Sequence, residues 1–355
     1  EKWVISEGQG GTFRGASEVF LTKKDAPTVV VSTKEGFQLK LTPDHLVATP
    51  DGMVEAGALQ PGTKVLVTKG FAGMSVVDEA PETFEEAEML LMGLLAGDGT
   101  FGKGGVTEIA HICLWPENFH REAEITGLIQ RLFDNFSYES GGSRRYSPFY
   151  VTRSDKKVTV SSSFLARHLK ERYGFGRDTK HSVPDEVMAK ARFAGLWYLA
   201  GLFFCDGTVN VGKSRDSVRL NQSNFELLQQ VQLMLLANGV FSRIYKRREA
   251  GSRKLPDGNG GLKEYPTKAN YEIVCYSDRS IFGEVVGFWG SDKDRKLASV
   301  ATSSYHKEPL ATVTSVTEGE TQDVYCLKEQ VTRSIVVNGV AMRRCGEITL
   351  QAWEP

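Results

Sequence analysis

The sequence predicts an α+β fold in which a two-repeat domain of helices and strands is inserted into an all-β domain. The first observation is an internal repeat of two apolar, helix-like runs that each end in Asp-Gly: Leu91-Met-Gly-Leu-Leu-Ala-Gly-Asp98-Gly99 and Leu199-Ala-Gly-Leu-Phe-Phe-Cys-Asp206-Gly207. The second is the presence of short strand-like runs, separated by turn residues, at both ends of the chain.

The predicted domain boundaries follow these changes of pattern. Residues 1–78 form the N-terminal part of the β domain, with runs such as Thr28-Val-Val-Val-Ser-Thr. Residues 79–303 form the inserted domain, with repeats at about 82–190 and 191–300. Residues 304–344 complete the β domain, with runs such as Ser334-Ile-Val-Val-Asn-Gly, and residues 345–355 form a separate tail.

Further features recur in the same order in both repeats. Each Asp-Gly is followed by a Gly-containing hairpin, a helical run, a basic segment, a Ser-rich step into another helix, and Gly-Phe with a lysine beyond it, which is Lys180 or Lys293. One helix that ends in Asp-Gly is usually an ordinary C-terminal cap. The duplication favours a paired function for the two aspartates.

Small residues on the two apolar runs predict that the helices pack side by side. Gly93 with Gly97, and Gly201 with Cys205, lie four positions apart and so share a helix face. Such packing would bring the two aspartates together. Carboxylates and carbonyls suit Mg²⁺, which can activate water and neutralise charge on a phosphodiester. The predicted metal ligands are Asp98, Asp206, Gly97 and Cys205, and the predicted catalytic residues are Asp98, Asp206, Lys180, Lys293 and Lys296.

Basic residues recur at matched places in the two repeats, interleaved with tyrosines such as Tyr146 and Tyr245. Such segments are usually solvated surface. The alternative is that the strands lie in the major groove of DNA, as β-ribbon readers do. The predicted DNA-binding residues are Lys103, Arg144, Arg145, Arg153, Lys156, Lys213, Arg219, Arg243, Lys246, Arg247, Arg248 and Lys254.

The composition is that of an ordinary globular protein. The chain has 355 residues, of which 41% are hydrophobic, and a formal net charge of −1, so a nucleic-acid surface must come from local basic clusters. The five cysteines are scattered without a CxxC pair, which predicts a reducing, intracellular and cytoplasmic location. No apolar run has the length of a membrane span, so no membrane partner is expected.

The paired runs resemble the LAGLIDADG family of homing endonucleases in its single-chain, two-repeat form. Gly93-Leu-Leu-Ala-Gly-Asp-Gly and Gly201-Leu-Phe-Phe-Cys-Asp-Gly match its signature, and Lys180-His-Ser-Val-Pro184 is similar to the lysine block of intein members. The resemblance covers about residues 80–300. It implies two αββαββα-like halves, a monomer, and Mg²⁺ dependence with Mn²⁺ as a substitute. It further implies a staggered double-strand cut at a long asymmetric site in double-stranded DNA.

The β-rich flanks resemble the Hint splicing domain of inteins. Thr42 and His45 fall on its Thr-x-x-His positions, and Cys345 on the residue downstream of the splice. Usual splicing needs a Cys or Ser first and an Asn last, but this sequence begins with Glu1. Arginine, which can neither cyclise nor act as a base, stands where the family has His or His-Asn. These positions are Arg333, Arg343 and Arg344, and they predict a splicing-defective scaffold.

The tail that starts at Cys345-Gly-Glu resembles the segment around an essential cysteine in ribonucleotide reductase large subunits. The resemblance implies that the homing target is an uninterrupted reductase gene. Two other functions stay open at this point: a catalytically inactive DNA-binding remnant, and a protein-processing element that acts in trans. The retention of both Asp-Gly steps favours the endonuclease over the inactive remnant. Arg344, which stands where cleavage would need Asn, disfavours the protein-processing element.

Overall fold

The computed structural model describes residues 20–70, 72–105, 107–136, 147–212, 216–256, 261–300, 309–326 and 334–343, with two short strands at 4–5 and 13–14. The chain divides into two compact units. Unit 1 comprises Glu1–Phe71, Leu235–Tyr245 and Ser304–Pro355, and unit 2 comprises Ala72–Met234 and Lys246–Ser303. Among the described helices, none has the length and apolarity that crossing a membrane requires.

The elements follow one another in a β, mixed, β order. The first strands are β1 (Val4–Ile5), β2 (Phe13–Arg14), β3 (Phe20–Ala26), β4 (Val29–Thr33), β5 (Gln38–Leu41), β6 (Leu46–Thr49), β7 (Gly52–Glu55) and β8 (Lys64–Leu66). The helices are α1 (Phe84–Ala96), α2 (Glu122–Phe136), α3 (Ser163–Tyr173), α4 (Asp185–Ala189), α5 (Gly195–Asp206), α6 (Phe225–Ala237), α7 (Arg279–Val285) and α8 (Asp292–Ala298).

Strands also lie between these helices and after them. Those in the middle of the chain are β9 (Thr100–Gly104), β10 (Thr107–Leu114), β11 (Tyr150–Arg153), β12 (Val158–Ser162), β13 (Gly207–Asn210), β14 (Ser217–Gln222), β15 (Arg243–Arg248), β16 (Gly251–Pro256), β17 (Leu262–Thr267) and β18 (Asn270–Cys275). The last strands are β19 (Leu310–Glu318), β20 (Gln322–Cys326), β21 (Ser334–Val337) and β22 (Val340–Arg343).

Unit 1 joins strands from both ends of the chain in shared antiparallel sheets. The strand orders are β5-β4-β19-β8 and β21-β22-β6-β7, with further pairs β20-β3 and β1-β2. In β4, Val29, Val31 and Thr33 are buried while the residues between them are partly exposed, which is the alternation of a strand with one covered face. Strands β4 and β19 lie on opposite sides of the mixed segment in the sequence. Their pairing is expected if that segment interrupts a single β domain.

The segment Leu235–Tyr245 also belongs to unit 1, although its sequence continues helix α6. The backbone N–H of Ile244 donates to the carbonyl of Glu35 at 3.0 Å, and that of Gly70 to the carbonyl of Leu236 at 3.0 Å. A Cβ added at Gly36 would lie 2.9 Å from the Cβ of Ile244. These contacts tie the segment into the core of the β unit, which the predicted boundaries did not anticipate.

Unit 2 contains the same succession of elements twice. The first half runs α1-β9-β10-α2-β11-β12-α3, and the second runs α5-β13-β14-α6-β15-β18-α7 with the hairpin β16-β17 added between β15 and β18. The sheets have the orders β11-β12-β10-β9 and β13-β14-β18-β15. Read from opposite ends, these two orders are equivalent, so each half has the αββαββα succession that the resemblance implied.

One face of each sheet in unit 2 is apolar and the other is polar. In the first sheet, the cross-strand neighbours Ile112 and Val160 are buried on one face. The next pair, His111 and Ser161, lies on the opposite face. In the second sheet Leu220 and Ile273 are buried, and Asn221 lies opposite Glu272. The polar side of each sheet is called its open face below.

Candidate functional site

Helices α1 and α5 approach each other closely at two glycines. A Cβ added at Gly93 would lie 2.2 Å from the carbonyl oxygen of Tyr198, and one at Gly201 would lie 2.6 Å from that of Leu90. Real Cβ atoms do not come so near a backbone oxygen, so glycine alone fits at both contacts. The side-by-side packing predicted from the small residues is therefore present in the structure.

The two aspartates lie at the same end of this helix pair. Asp206 is the last residue of α5, and Asp98 follows α1 and its cap residue Gly97. A Cβ added at Gly97 would lie 2.4 Å from the Cβ of Cys205 and 3.6 Å from Oδ2 of Asp206. The two helix ends thus meet, and both carboxylates are half-buried beside the contact.

Each aspartate accepts a hydrogen bond from a side chain of its own half. The indole Nε1 of Trp115 donates to Oδ2 of Asp98 at 3.2 Å, and Nε2 of Gln222 donates to Oδ2 of Asp206 at 2.5 Å. Gln222 ends β14 and Trp115 directly follows β10, so both come from the end of the second strand. The sequence analysis missed both residues, because neither their residue types nor their distances from the aspartates, 17 and 16 positions, are the same in the two repeats.

Two of the three predicted lysines lie at the helix ends. Nζ of Lys180 donates to the carbonyl of Gly99 at 2.6 Å. Nζ of Lys293 donates to the carbonyls of Phe204 at 2.6 Å and Cys205 at 3.1 Å. Lys296, one turn further along α8, is exposed. A lysine at a helix C-terminus satisfies carbonyls left without partners, so Lys293 caps α5, whereas Lys180 contacts a carbonyl just beyond the end of α1.

Burial and mutual repulsion shape the electrostatics of the site. Desolvation, reinforced by the charge of Asp98, raises the pKa of Asp206 to about 6, against the opposing effects of Gln222, Lys293 and Lys180. Desolvation also lowers the pKa of both lysines, and the two aspartates oppose this shift. Carboxylate and ammonium groups are thus held together in a poorly solvated pocket.

The donor set fits a hard divalent cation with a few protein ligands. Two carboxylates converge, and the charge of Asp98 adds to burial in raising the pKa of Asp206, an effect that a nearby cation would oppose. Mg²⁺ is commonly held by one or two carboxylates with waters. The carbonyls of Gly97 and Cys205 were also predicted as ligands. That of Cys205 already accepts a hydrogen bond from Lys293, which makes it the poorer ligand of the two. The thiol of Cys205 lies 3.7 Å from the carbonyl of Leu94, and desolvation raises its pKa, which disfavours a thiolate ligand.

Two predicted DNA-binding arginines lie on the second open face, where they share one acid. Nε of Arg247 is 2.7 Å and Nη1 of Arg219 is 3.4 Å from Oε2 of Glu272, and Nδ2 of Asn221 donates to Oε1 at 3.3 Å. Only 6% of Glu272 is exposed. The carboxylate, on β18, therefore orients two guanidinium groups from the strands on either side of it.

The remaining basic residues are dispersed. Arg153 pairs with Glu122 of α2, so its guanidinium turns toward the helical layer. Lys103 lies opposite Glu108, and Lys254 lies opposite Glu264. The others are Lys156 in an exposed turn, Lys246 near Glu249, Arg248 near the Lys268 carbonyl, and Arg243 near Glu35 of unit 1. Arg144, Arg145 and Lys213 lie outside the described residues.

The Thr-x-x-His positions form a buried turn in unit 1. The backbone N–H of His45 donates to the carbonyl of Thr42 at 3.1 Å, and each residue is only 3% exposed. The Thr42 hydroxyl, by hydrogen bonding, lowers the pKa of the neighbouring Asp44. Arg343 ends β22 opposite Leu46, while Arg333, Arg344 and Cys345 lie outside the described residues.

Comparison with known proteins identifies one domain. Residues 195–281 match the family described as the LAGLIDADG-like domain, which confirms the predicted resemblance over this part of the chain. The match begins at α5 and includes Asp206, the second open face and Glu272. It therefore covers the second repeat as far as residue 281, which excludes α8, whereas the first repeat is related to it here by the equivalent succession of elements.

Curated relatives include subunits of ribonucleotide reductases, and also a replicative DNA helicase DnaB of Rhodothermus marinus that is 23% identical over 77% of this chain and 27% of that protein. The chain is 27% identical over 359 residues to the ribonucleoside-diphosphate reductase NrdEB subunit alpha of Bacillus subtilis (strain 168), covering 96% of this chain and 32% of that protein. It is 28% identical over 173 residues to the reductase large subunit of Invertebrate iridescent virus 6, covering 48% of this chain and 17% of that protein. The chain thus spans about a third or less of the length of these relatives.

The solved structures that match parts of the chain include homing endonucleases. I-DmoI in complex with DNA and Ca is 16% identical, with a TM-score of 0.38, and the match covers 58% of this chain and 91% of that one. I-WcaI bound to its DNA recognition sequence is 15% identical, with a TM-score of 0.34, over 60% of this chain and 86% of that one.

Proposed function

We propose that this protein is a metal-dependent, site-specific endonuclease that cuts both strands of DNA. One observation carries the proposal: Asp98 and Asp206 meet at the ends of two helices locked together by glycines, with Lys180 and Lys293 beside them. Paired acids with adjacent lysines at the junction of two equivalent halves suit hydrolysis of two phosphodiesters related by an approximate two-fold axis.

Asp98 and Asp206 would hold Mg²⁺, or Mn²⁺ in its place, which supplies charge neutralisation and a more acidic water for hydrolysis. Trp115 and Gln222 orient the carboxylates by donating to one oxygen of each. The ammonium groups of Lys180 and Lys293 stabilise the negative charge that builds up on the phosphate oxygens, and they orient the attacking water. Their lowered pKa values make them better proton donors than exposed lysines.

DNA would lie along the open faces of the two sheets. Arg219 and Arg247, oriented by Glu272, can present guanidinium groups to guanine edges in the major groove. The first open face carries His111 and Ser161 in the equivalent region, so the two half-sites are read by different side chains. A monomer with unlike halves suits a long asymmetric site.

We propose that the target is an uninterrupted ribonucleotide reductase gene. The support is the alignment of 96% of the chain with about a third of a reductase subunit. A region of that extent, containing paired acids and a LAGLIDADG-like domain, has the properties of an element carried inside the reductase reading frame.

We further propose that unit 1 is a Hint-type splicing scaffold that no longer splices. The pairing of β4 with β19 and of β6 with β22 across the insertion, and the buried Thr42–His45 turn, support the first part. Arginine at 333, 343 and 344 supports the second. Incubation with a thiol and mass spectrometry tests this, and release of a fragment cut at either flank would refute it.

The nuclease activity is tested with Mg²⁺ and a linear copy of an uninterrupted reductase gene, followed by sequencing of the ends. Staggered cuts at one site are expected, and they should be lost in Asp98→Asn and in Asp206→Asn. The matched control is Asp155→Asn, because Asp155 is exposed in a turn away from the helix ends. Tight binding without cuts under any divalent metal would replace the endonuclease with the inactive DNA-binding remnant.

A further inference from the structure

The backbone just before helix α8 has a conformation that one of its residues does not favour. Gly287, Trp289 and Gly290 have φ angles of 62°, 48° and 64°, all in the left-handed region. Glycine adopts such angles freely, but the bulky side chain of Trp289 makes this backbone strained. Only 4% of Trp289 is exposed. A strained, buried residue persists only where its surroundings hold it, so its contacts identify what the segment depends on.

Arg121 of the first half of unit 2 holds this segment of the second half. It ends the 3-10 turn Pro116–Arg121 that leads into α2. Its Nη2 donates to the carbonyl of Trp289 at 2.5 Å, and its Cζ lies 4.5 Å from the centroid of the Trp289 ring. A Cβ added at Gly290 would lie 2.1 Å from that Nη2, so glycine leaves room for the guanidinium. Its Nη1 pairs with Glu124, one turn along, which orients the guanidinium.

The segment is in turn connected to the part of α8 that carries Lys293. The backbone N–H of Phe288 donates to Oδ1 of Asp294, the residue after Lys293, at 2.8 Å. The Trp289 ring packs edge-to-face on the ring of Phe204, with 5.1 Å between the centroids. The carbonyl of Phe204 is one of those that Nζ of Lys293 contacts, at 2.6 Å. The guanidinium therefore acts on the lysine through a single residue, Trp289, that also packs against the C-terminal turn of α5.

The second half makes the reciprocal contact to the first. Asn224 directly precedes α6, as Arg121 directly precedes α2. The Asn224 Nδ2 donates to the carbonyl of His181, the residue after Lys180, at 3.1 Å. Its Oδ1 accepts from the backbone N–H of Leu227 at 3.2 Å, which caps the helix. The residue before the second helix of each half thus holds the backbone beside the lysine of the other half.

We propose that these two residues are positioning residues that act across the halves: Arg121 for Lys293, and Asn224 for Lys180. The inference rests on the proposed endonuclease function, and it adds that each lysine-dependent cut needs a residue of the opposite half. Both side chains act through the backbone beside a lysine, not on the DNA. A displacement of about 1 Å at a reacting group can slow a reaction by up to about 100-fold. A contact that only stabilised the packing of the halves would affect both cuts equally.

Single-turnover cleavage of a target duplex with a different label on each strand measures the two cuts separately. Arg121→Met should slow the cut of one strand by about tenfold, because a charge-assisted hydrogen bond is lost, and Lys293→Met should slow the cut of that same strand. Asn224→Asp keeps the oxygen that caps α6 but cannot donate to His181. It should slow the cut of the other strand by roughly threefold, and Lys180→Met should slow that strand too.

Arg131→Met is the matched control, because Arg131 of α2 makes the same kinds of contact within its own half. Its Nη2 donates to the carbonyl of Pro81 at 3.0 Å, and its Cζ lies 5.9 Å from the centroid of the Phe84 ring. The ratio of the two cutting rates should stay as in wild type. If Arg121→Met melts much earlier than wild type, Arg121→Lys replaces it. This variant keeps a donor and a cation near Trp289, so it should show a smaller effect on the same strand.

A second measurement needs neither DNA nor metal. The full chain is treated with an amine-specific acylating reagent in EDTA, and mass spectrometry gives the labelling rate of each lysine. In Arg121→Met, labelling of Lys293 should accelerate by about tenfold while that of Lys180 stays as in wild type. Asn224→Asp should accelerate labelling of Lys180 alone, by roughly threefold.

An equal slowing of both cuts in either positioning variant overturns the proposal, and so does a slowed strand that the corresponding lysine variant leaves unaffected. Unchanged labelling of both lysines overturns it as well. A wild type that cuts no DNA, with the expected labelling pattern in the variants, refutes the endonuclease alone. A wild type that cuts DNA, with variants that keep its rates on both strands, refutes the positioning alone.

Discussion

At the scale of single residues, Asp206 connects the proposed metal site to the pH dependence of stability. Its pKa in the folded chain is about 6, against 3.8 for a free side chain, because burial and Asp98 disfavour the ionised form. The folded state therefore binds a proton more tightly than the unfolded state between these two values. Stability without metal falls as the pH rises through this window and stays low above it.

Asp206→Asn should therefore stabilise the metal-free protein at pH 8. A shift of about two pKa units corresponds to at most about 3 kcal/mol, and partial solvent access reduces it, so we expect a melting temperature higher by about 5 °C in EDTA. The increase should vanish at pH 4, where the wild-type carboxyl is also largely protonated. Mg²⁺ should stabilise wild type but not the variant. Calorimetry measures the melting temperatures of both proteins. An equal increase in melting temperature at pH 4 and at pH 8 would contradict this explanation.

Lys293 and Lys296 form a matched pair for testing the lysine assignment. Lys293→Met removes the ammonium group that contacts the Phe204 and Cys205 carbonyls, whereas Lys296→Met changes an exposed residue on the same helix. We expect single-turnover cleavage to slow by roughly 100-fold or more in the first and to stay unchanged in the second. Anisotropy with labelled DNA should give similar affinities for both. Equal cleavage rates would leave Lys293 with a capping role only.

At the scale of elements, the contact between α1 and α5 determines where the two acids lie. Gly93 and Gly201 each face backbone of the opposite helix, so the helices cannot separate or rotate without losing close contacts along their length. This part of the site was predictable, because small residues four apart at two equivalent places indicate close packing. The hydrogen bonds from Trp115 and Gln222 were not predictable from the sequence. They depend on where the second strand of each half ends relative to the C-terminus of α1 or α5.

Gly201→Ala and Gly127→Ala should change stability in opposite directions. A Cβ at Gly201 would lie 2.6 Å from the Leu90 carbonyl, so we expect a loss of about 1–3 kcal/mol together with loss of cleavage. Gly127 lies within α2, where an added Cβ meets nothing within 4 Å, so alanine there should stabilise by about 0.5–1 kcal/mol. Urea denaturation measures both. A neutral Gly201→Ala would mean that the helix contact is looser than the structure indicates.

At the scale of the whole molecule, the chain leaves and re-enters the β unit more often than its sequence indicates. Repeats and strand-like runs predicted a mixed domain between two β-rich flanks. They did not predict that Leu235–Tyr245 belongs with the flanks. Helical periodicity simply continues through α6, and nothing local distinguishes a helix end that packs against neighbouring helices from one that packs against strands. Membership of a core depends on long-range contacts, such as that of Gly36 with Ile244.

Ile244→Ala should therefore destabilise the β unit, despite its position inside the LAGLIDADG-like region. Ile244 is 6% exposed, and its truncation should cost about 2–4 kcal/mol. Hydrogen exchange followed by mass spectrometry should show lost protection in β4 and β5, with α1 and α5 unchanged. Loss of protection confined to α1 and α5 would contradict the assignment of this segment to unit 1.

The four charged side chains at the helix ends have a consequence for the order of binding events. When both carboxylates are ionised, the ammonium groups of Lys180 and Lys293 balance their charge, so the centre has no net charge of its own. A neutral centre offers little attraction to a phosphate, whereas under the proposed function a bound divalent cation would attract the two phosphates to be cut, one from each strand. Cation and DNA then strengthen each other's binding by equal factors, as thermodynamic reciprocity demands. On the proposed function, the protein without the cation would then be held on DNA only by its basic residues away from the centre.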